Sequence, residues 1–396
     1  MVKIGIYGGT FNPPHTGHMQ AAKQAVQILN LDKLLLIPDR IAPHKEIPAG
    51  SPTPEQRLEM LQIAASSVPR SEVSDIELKR DGPSYSYLTV EALREEYPDA
   101  DLYLLMGTDM FLSFHTWREP ERIIRHATLA IFYRGERGEK EKILAQQTAM
   151  EAMGAKVELV ENQVLSISST QLRRLIAFDC AGEFLPAGVG DYIREKGLYN
   201  AAENWKNLPM EQLEPIVLRL LNPNRINHVL GCRDTAVELA RRWGADENDA
   251  ARAGILHDIT KALDGPLQLT LCREYGTILD EFGYKYPKTL HALTGSLVAE
   301  RVFGESPAVV NAICHHTTGK ADMNLLEKII YVADYMEPNR NFPGVEKLRT
   351  LAFSNITAAL KLGLEMTLEH LVELGDEVSP ASAQALEFLN SEIISE

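Results

Sequence analysis

Gly8-Gly9-Thr10-Phe11-Asn12-Pro13-Pro14-His15-Thr16-Gly17-His18 is the stretch around which the first half of the chain is organised. An apolar run, residues 4–7, leads into it, and an amphipathic stretch, residues 15–29, leads away. The pattern predicts a strand, a tight glycine turn and a helix. Gly8 and Gly9 let a backbone come close to a ligand. The helix that follows offers free N–H groups and the positive end of its dipole to an anion. His15 and His18 lie three residues apart, so at a helix start they share one face. Together these features point to a nucleotide site; the plain alternative is a capped helix with two surface histidines.

Outward from that stretch, strand and helix patterns alternate to residue 199. Strands are expected at residues 34–37, 73–78, 102–106, 129–133 and 157–160, and helices at 53–65 and 84–97. Such alternation predicts an α/β, Rossmann-like domain, a parallel sheet with helices on both faces. Ligands of such sheets sit outside the carboxyl ends of the strands. His44 and Lys45 follow the second expected strand, and Gly107 and Asp109 follow a later one. At residues 166–174, hydroxyls precede a helical run that carries Arg173 and Arg174 in its first turns. A cation is disfavoured at a helix start unless an anion is held nearby. An N-cap followed by a solvated arginine pair is the alternative there.

Residues 200–208 are short, polar and without periodicity, and the domain boundary is placed there, between a first domain at 1–200 and a second at 208–396. Beyond it strand patterns vanish. Helical ones run over residues 210–221, 225–243, 247–263, 290–302, 308–315, 325–335, 351–374 and from 380 onward, which predicts an all-α domain. Its notable residues are His228, then His257-Asp258, His291, His315-His316 and Asp334. Imidazoles and carboxylates without thiolates suit iron, manganese or zinc. A single histidine would more often be a satisfied core residue; several at these spacings point to a metal centre.

The bulk numbers agree with two domains, since 396 residues suggest about two or three. A net charge of −15 argues against broad, non-specific nucleic-acid binding. Four scattered cysteines, a first strand that starts at once and no apolar run near the roughly 20 residues of a membrane span together predict a reduced, cytoplasmic chain with neither signal peptide nor membrane segment.

Residues 1–199 resemble the nicotinate mononucleotide adenylyltransferases. The likeness rests on Gly8 to Pro13, the His-x-Gly-His element at His15 to His18, Pro43-His44-Lys45, Gly82-Pro83-Ser84-Tyr85, Gly107-Thr108-Asp109, His115-Thr116-Trp117 and Ile167-Ser168-Ser169-Thr170 with Arg173. The resemblance implies transfer of AMP from ATP, with its Mg²⁺, to nicotinate mononucleotide. It implies that Gly8, Gly9, Thr10 and Phe11 form the nucleotide-binding turn and that His15, His18 and Lys45 serve the reacting phosphates. Ser168, Thr170 and Arg173 would take the β- and γ-phosphates, and Gly107 and Asp109 the adenosine. Trp117 would stack on the pyridine ring, and Ser84 and Tyr85 would recognise its carboxylate. A nucleotide-binding scaffold, or a transferase for another acceptor such as phosphopantetheine, is the rival reading.

The second half resembles the HD-domain metal-dependent phosphohydrolases, and among them those that cleave diadenosine tetraphosphate symmetrically. Here the matching segments are Arg225 to His228, His257-Asp258-Ile259-Thr260-Lys261, Leu290-His291-Ala292 and Ala333 to Arg340. This resemblance implies one divalent metal held by His228, His257, Asp258 and Asp334. A second would be held by Asp258, His291 and either His315 or His316, with His315 preferred, and both ions would be iron first, otherwise manganese or zinc. Lys261 would steady the substrate phosphates, with Arg340 as a second candidate. Another nucleotide phosphohydrolase, or a non-catalytic nucleotide-binding regulatory module, is the rival for this half. Oligomeric state is not legible in the sequence.

Overall fold

A computed structural model describes residues 1–43, 47–48, 50–133, 138–162, 167–201 and 203–395. They form two compact units, Met1–Glu203 and Asn204–Glu396, divided within the polar stretch at 200–208.

The first unit runs β1 (Lys3–Gly9), α1 (Thr16–Ile28), β2 (Lys33–Pro38), α2 (Pro54–Ala65), β3 (Ser71–Val73), α3 (Ser86–Glu96), β4 (Asp101–Gly107), α4 (Thr108–Leu112), α5 (Pro120–His126), β5 (Ala127–Tyr133), α6 (Glu139–Ala152), β6 (Val157–Glu161), α7 (Ser169–Ala177) and α8 (Val189–Glu195). The strands form one parallel sheet in the order β3-β2-β1-β4-β5-β6. The order reverses direction between β1 and β4, and that switch point opens a crevice at the strands' carboxyl ends. The Gly8–His18 turn follows β1 and Gly107 closes β4, so both lie at the crevice. Ile4, Ile6, Leu102, Leu104, Leu129 and Ile131 bury one sheet face against Val90, Leu93, Phe111, Phe114 and Ile143. One expected strand differs. In place of a strand at 73–78 the chain forms β3 at Ser71–Val73 and then turns, the Ser74 hydroxyl accepting from Ile76 N–H and Leu78 N–H donating to Asp75 O.

A buried cation ties the ends of β1 and β2 together. On α2, Arg57 occupies a core-facing position with Met60, Leu61 and Ala64, and it is 0% exposed. Its guanidinium donates to Thr10 O at 2.6 Å, Asp39 O at 2.7 Å and Asp39 Oδ1 at 3.0 Å. The other Asp39 oxygen accepts from the Thr10 hydroxyl at 2.7 Å. Breaking a buried pair by removing one partner costs about 3–5 kcal/mol. Arg57→Met is therefore expected to lower the melting temperature of the first unit by roughly 10 °C in a thermal melt.

The second unit is helical: α9 (Met210–Leu220), α10 (Ile226–Trp243), α11 (Glu247–Leu256), α12 (Gly265–Glu274), α13 (Glu281–Lys285), α14 (His291–Val298), α15 (Pro307–His315), α16 (Leu325–Met336), α17 (Val345–Ala352), α18 (Ile356–Leu374) and α19 (Pro380–Ser395). The single helix expected at 351–374 is broken. Asn355 caps α18 by accepting from Ala358 N–H and ends the run from α17. Among the described residues no helix is long and apolar enough to cross a membrane.

Candidate active sites

In the first unit, β1 delivers the chain into the turn and α1 begins at Thr16 with His15 as its N-cap. His15 Nδ1 accepts from His18 N–H, and His18 Nδ1 accepts from His15 N–H, both at 3.2 Å. The two rings stack with centroids 3.5 Å apart. An imidazole that accepts through Nδ1 carries its proton, when neutral, on Nε2. Burial pushes His15 down to about 4, so it is neutral at pH 7 and donates through Nε2. Phe11 meets the His18 ring edge-on at 5.1 Å and limits its rotation.

The N-terminus of α7 comes over the same turn. Ser168 caps α7 by accepting from Gln171 N–H, and the Gln171 amide oxygen accepts from Ser168 N–H. The Ser169 hydroxyl donates to Pro13 O, and Arg173 donates to Asn12 O at 2.8 Å and to the Thr170 hydroxyl at 3.1 Å. Asn12 also accepts from the Tyr199 hydroxyl at 2.7 Å. The arginine at this helix start is thus a strut for the turn as well as a cation facing the crevice.

A cavity of about 750 Å³ lies at the switch point. Of the residues expected from the sequence, Thr10, His15, His18, Gly107, Asp109, Ser168, Thr170 and Arg173 line it. A Cβ placed on Gly8 or Gly107 would meet no described atom within 4 Å, so bare backbone borders open space at both. Gly9 backs onto the Phe11 ring. Ser84, Tyr85 and Trp117 do not border this cavity. Ser84 is buried and accepts from Arg40 N–H, Tyr85 stacks on Tyr87 beneath the Arg118 guanidinium, and Trp117 packs on Phe114 at 5.2 Å. Lys45 and His44 lie outside the described residues.

In the second unit five helices bring their ends or faces together. His228 comes from α10, His257 and Asp258 follow α11, His291 opens α14, His316 follows α15 and Asp334 lies on α16. The two oxygens of Asp258 divide the histidines. Oδ2 lies 3.7 Å from His228 Nε2 and 3.6 Å from His257 Nε2. Oδ1 lies 3.6 Å from His291 Nε2 and 3.8 Å from His316 Nε2. Asp334 Oδ1 lies 3.1 Å from His228 Nε2 and 3.7 Å from His257 Nε2. Two overlapping groups result, His228/His257/Asp334 and His257/Asp258/His316.

Each imidazole is held from behind by its Nδ1, with Glu337 facing His228 at 3.1 Å, Gly254 O facing His257 at 2.8 Å, Lys288 O facing His291 at 3.0 Å and Ile313 O facing His316 at 2.7 Å. Outer acceptors of this kind orient metal-binding histidines. His316 Nε2 is buried with no hydrogen-bond partner among the described residues. A buried unpaired nitrogen aimed at a carboxylate, in a set of four imidazoles and two carboxylates, fits divalent cations such as iron, manganese or zinc.

The sequence reading preferred His315, but it is His316 that joins the cluster. Successive residues at a helix end point about 100° apart, and His315 is half-buried on another face, where Glu327 and Lys320 act on it. Lys261 reaches the rim, its ammonium 3.0 Å from His291 Nε2. Arg340 pairs with Asp334 Oδ1 at 2.7 Å, and Arg225 pairs with Asp258 Oδ2.

Glu337, which directly follows the end of α16 and lies three residues after Asp334, went unassigned in the sequence. It is buried, and its other oxygen accepts from Asn339 N–H at 2.7 Å. A Cβ added at Gly231 would collide with that Glu337 oxygen. Gly231→Ala is expected to turn the carboxylate away from His228 and weaken metal binding roughly 10- to 100-fold, as read by metal titration.

Comparison with known proteins follows the same division. Residues 6–175 match the cytidylyltransferase-like family, and residues 225–339 match the HD domain. A protein of Aeromonas salmonicida named "probable nicotinate-nucleotide adenylyltransferase" is 39% identical over 213 residues, covering 50% of this chain and 97% of that protein. One of the same name from Geobacillus thermodenitrificans is 36% identical over 202 residues, covering 51% and 88%. A crystal structure of a "predicted HD superfamily hydrolase involved in NAD metabolism" from Clostridium acetobutylicum is 35% identical, covering 47% of this chain and 98% of that one, with a TM-score of 0.46. The chain belongs, through its first unit, to the nicotinate-nucleotide adenylyltransferase family, and it carries an HD domain in its second.

Proposed function

We propose that the protein is a bifunctional enzyme. The first unit joins ATP and nicotinate mononucleotide into deamido-NAD, and the HD unit hydrolyses diadenosine tetraphosphate to two ADP. For the first unit the supporting observation is one cavity that gathers His15, His18, the capped start of α7 and Gly107-Thr108-Asp109. A phosphate oxygen of nicotinate mononucleotide attacks the α-phosphorus, the bond to the bridging oxygen of the β-phosphate breaks, and pyrophosphate leaves. The protein's task is alignment and charge stabilisation. His15 and His18 donate through Nε2 to the phosphate oxygens. The α7 N-terminus with Ser168, Thr170 and Arg173 receives the leaving pyrophosphate. Mg²⁺ arrives with ATP.

For the HD unit the support is the division of four histidines between the two Asp258 oxygens. A pair of divalent ions held by these histidines with Asp258 and Asp334 would supply a clamp for phosphate and a more acidic water. Lys261, exposed at the rim, holds a substrate phosphate beside them. Two assays test the two halves separately. ATP with nicotinate mononucleotide should yield deamido-NAD and pyrophosphate; product only from another acceptor would reassign the first unit. Diadenosine tetraphosphate with added Fe²⁺, Mn²⁺ or Zn²⁺ should yield ADP as the sole nucleotide; AMP plus ATP, or no turnover with any ion, would reject symmetrical hydrolysis.

A further inference from the structure

The cavity of the first unit changes character across the sheet. On the β1 side it presents His15 and His18, with Ser168 and Arg173 from α7. At the ends of β5 and β6 its wall is Phe132 and one amide, Asn162. Asn162 directly follows β6, and its N–H donates to Tyr133 O at 2.9 Å, which fixes it beside β5. The residue is 7% exposed. Its side-chain Oδ1 is buried and has no hydrogen-bond partner among the described residues. A buried carbonyl oxygen left unpaired is destabilising, so one at a cavity wall marks the place of a ligand donor. In the order β1-β4-β5-β6 the ends of β1 and β6 are three strand spacings apart, about 14 Å. That is comparable to the span of a nucleoside triphosphate laid along the crevice with its phosphates at the histidines.

We infer that Asn162 selects the base, its carboxamide pairing with the 6-amino edge of adenine. A carboxamide offers an acceptor and a donor side by side, which matches N6 and N7 of adenine. A 6-oxopurine presents two acceptors at that edge and leaves Oδ1 unpaired. Sites built to pair with a polar group reject analogues that lack it more strongly than apolar pockets do. Asn162 is thus a specificity-determining residue, and the assignment rests on the reading of this cavity as the ATP site.

The test is steady-state dinucleotide synthesis with ATP, purine riboside triphosphate (no 6-amino group) and inosine triphosphate as donors. If the wild-type chain makes no dinucleotide from ATP and nicotinate mononucleotide, the transferase reading fails, whatever Asn162 does. With product formed, kcat/KM for ATP is expected to exceed that for purine riboside triphosphate roughly tenfold. In Asn162→Leu that ratio should fall to within about twofold, with KM for nicotinate mononucleotide unchanged. Asn162→Ser, which withdraws the amide and adds no bulk, carries the same expectation if the leucine variant does not fold. A wild-type ratio near one, or a ratio that survives in a folded variant, overturns the assignment.

Discussion

Replacing His18 with alanine is expected to lower the rate of dinucleotide formation by roughly two to three orders of magnitude, the usual result of removing one preorganised donor to developing charge. Folding should change far less. His18 contributes its Nδ1 to the start of α1 by accepting from His15 N–H. Loss of one cap interaction costs about 1 kcal/mol, a few degrees of melting temperature at most. The two roles can be separated. Asparagine at this position can still accept from the backbone N–H but has no counterpart of Nε2, so His18→Asn should restore the melting temperature and leave the rate low. Steady-state rates with saturating ATP and nicotinate mononucleotide, beside thermal melts of the same samples, decide the matter. A wild-type rate in folded His18→Ala would remove His18 from the chemistry.

The second large effect is expected at Asp258. Its oxygens face two pairs of histidines, so Asp258→Ala removes the group common to both sides of the cluster. Loss of an outer partner of a metal ligand costs about 10- to 100-fold in affinity or activity. Loss of a carboxylate shared between two ions should exceed that. It also leaves Arg225 without the carboxylate it pairs with, in a cluster already rich in nitrogen. The measurements are metal content by elemental analysis and ADP release from diadenosine tetraphosphate. Dinucleotide formation by the same sample reports that the first unit is intact. Full metal content and unchanged ADP release in the variant would dismiss the two-ion reading.

Much of the fold was legible because its signals are local. Thr53, the first residue of the helix expected at 53–65, caps α2, accepting from Gln56 N–H with Pro54 in the first turn. The inner strands β1, β2, β4 and β5 are apolar along most of their length, as buried parallel strands must be, whereas β3 and β6 at the two edges are not. Other parts lacked such signals. Helix α6 buries only Ile143 and Met150, a single thin stripe seven residues apart, and its pattern did not stand out. The break between α17 and α18 rested on one asparagine inside a long apolar run. Within the sites, residue type and spacing picked out histidines and aspartates that the fold brings together, but not their directions. His315 and His316 are adjacent in sequence, and only the end of α15 decides which one turns inward. Arg57 carried a readable sign, a charge at the position that shares a face with Met60, Leu61 and Ala64, and its carbonyl partners are what make burial tolerable. Asn162 carried none, since an amide after a strand is ordinary until a cavity is seen beside it.

The hydrogen bond from Tyr199 to Asn12 spans 187 positions of sequence. It sets an order of events during synthesis. The turn that follows β1 is made before the hydroxyl that holds its Asn12, which follows 187 positions later at a pace of about 5–20 residues per second. For the intervening seconds the nascent transferase has its glycines and histidines but not the last tie that closes their setting. The same tie marks where the gene can be cut. A fragment ending at Glu203 keeps Tyr199 and its bond, whereas one trimmed to the end of α8 at Glu195 retains every strand of the sheet and loses it.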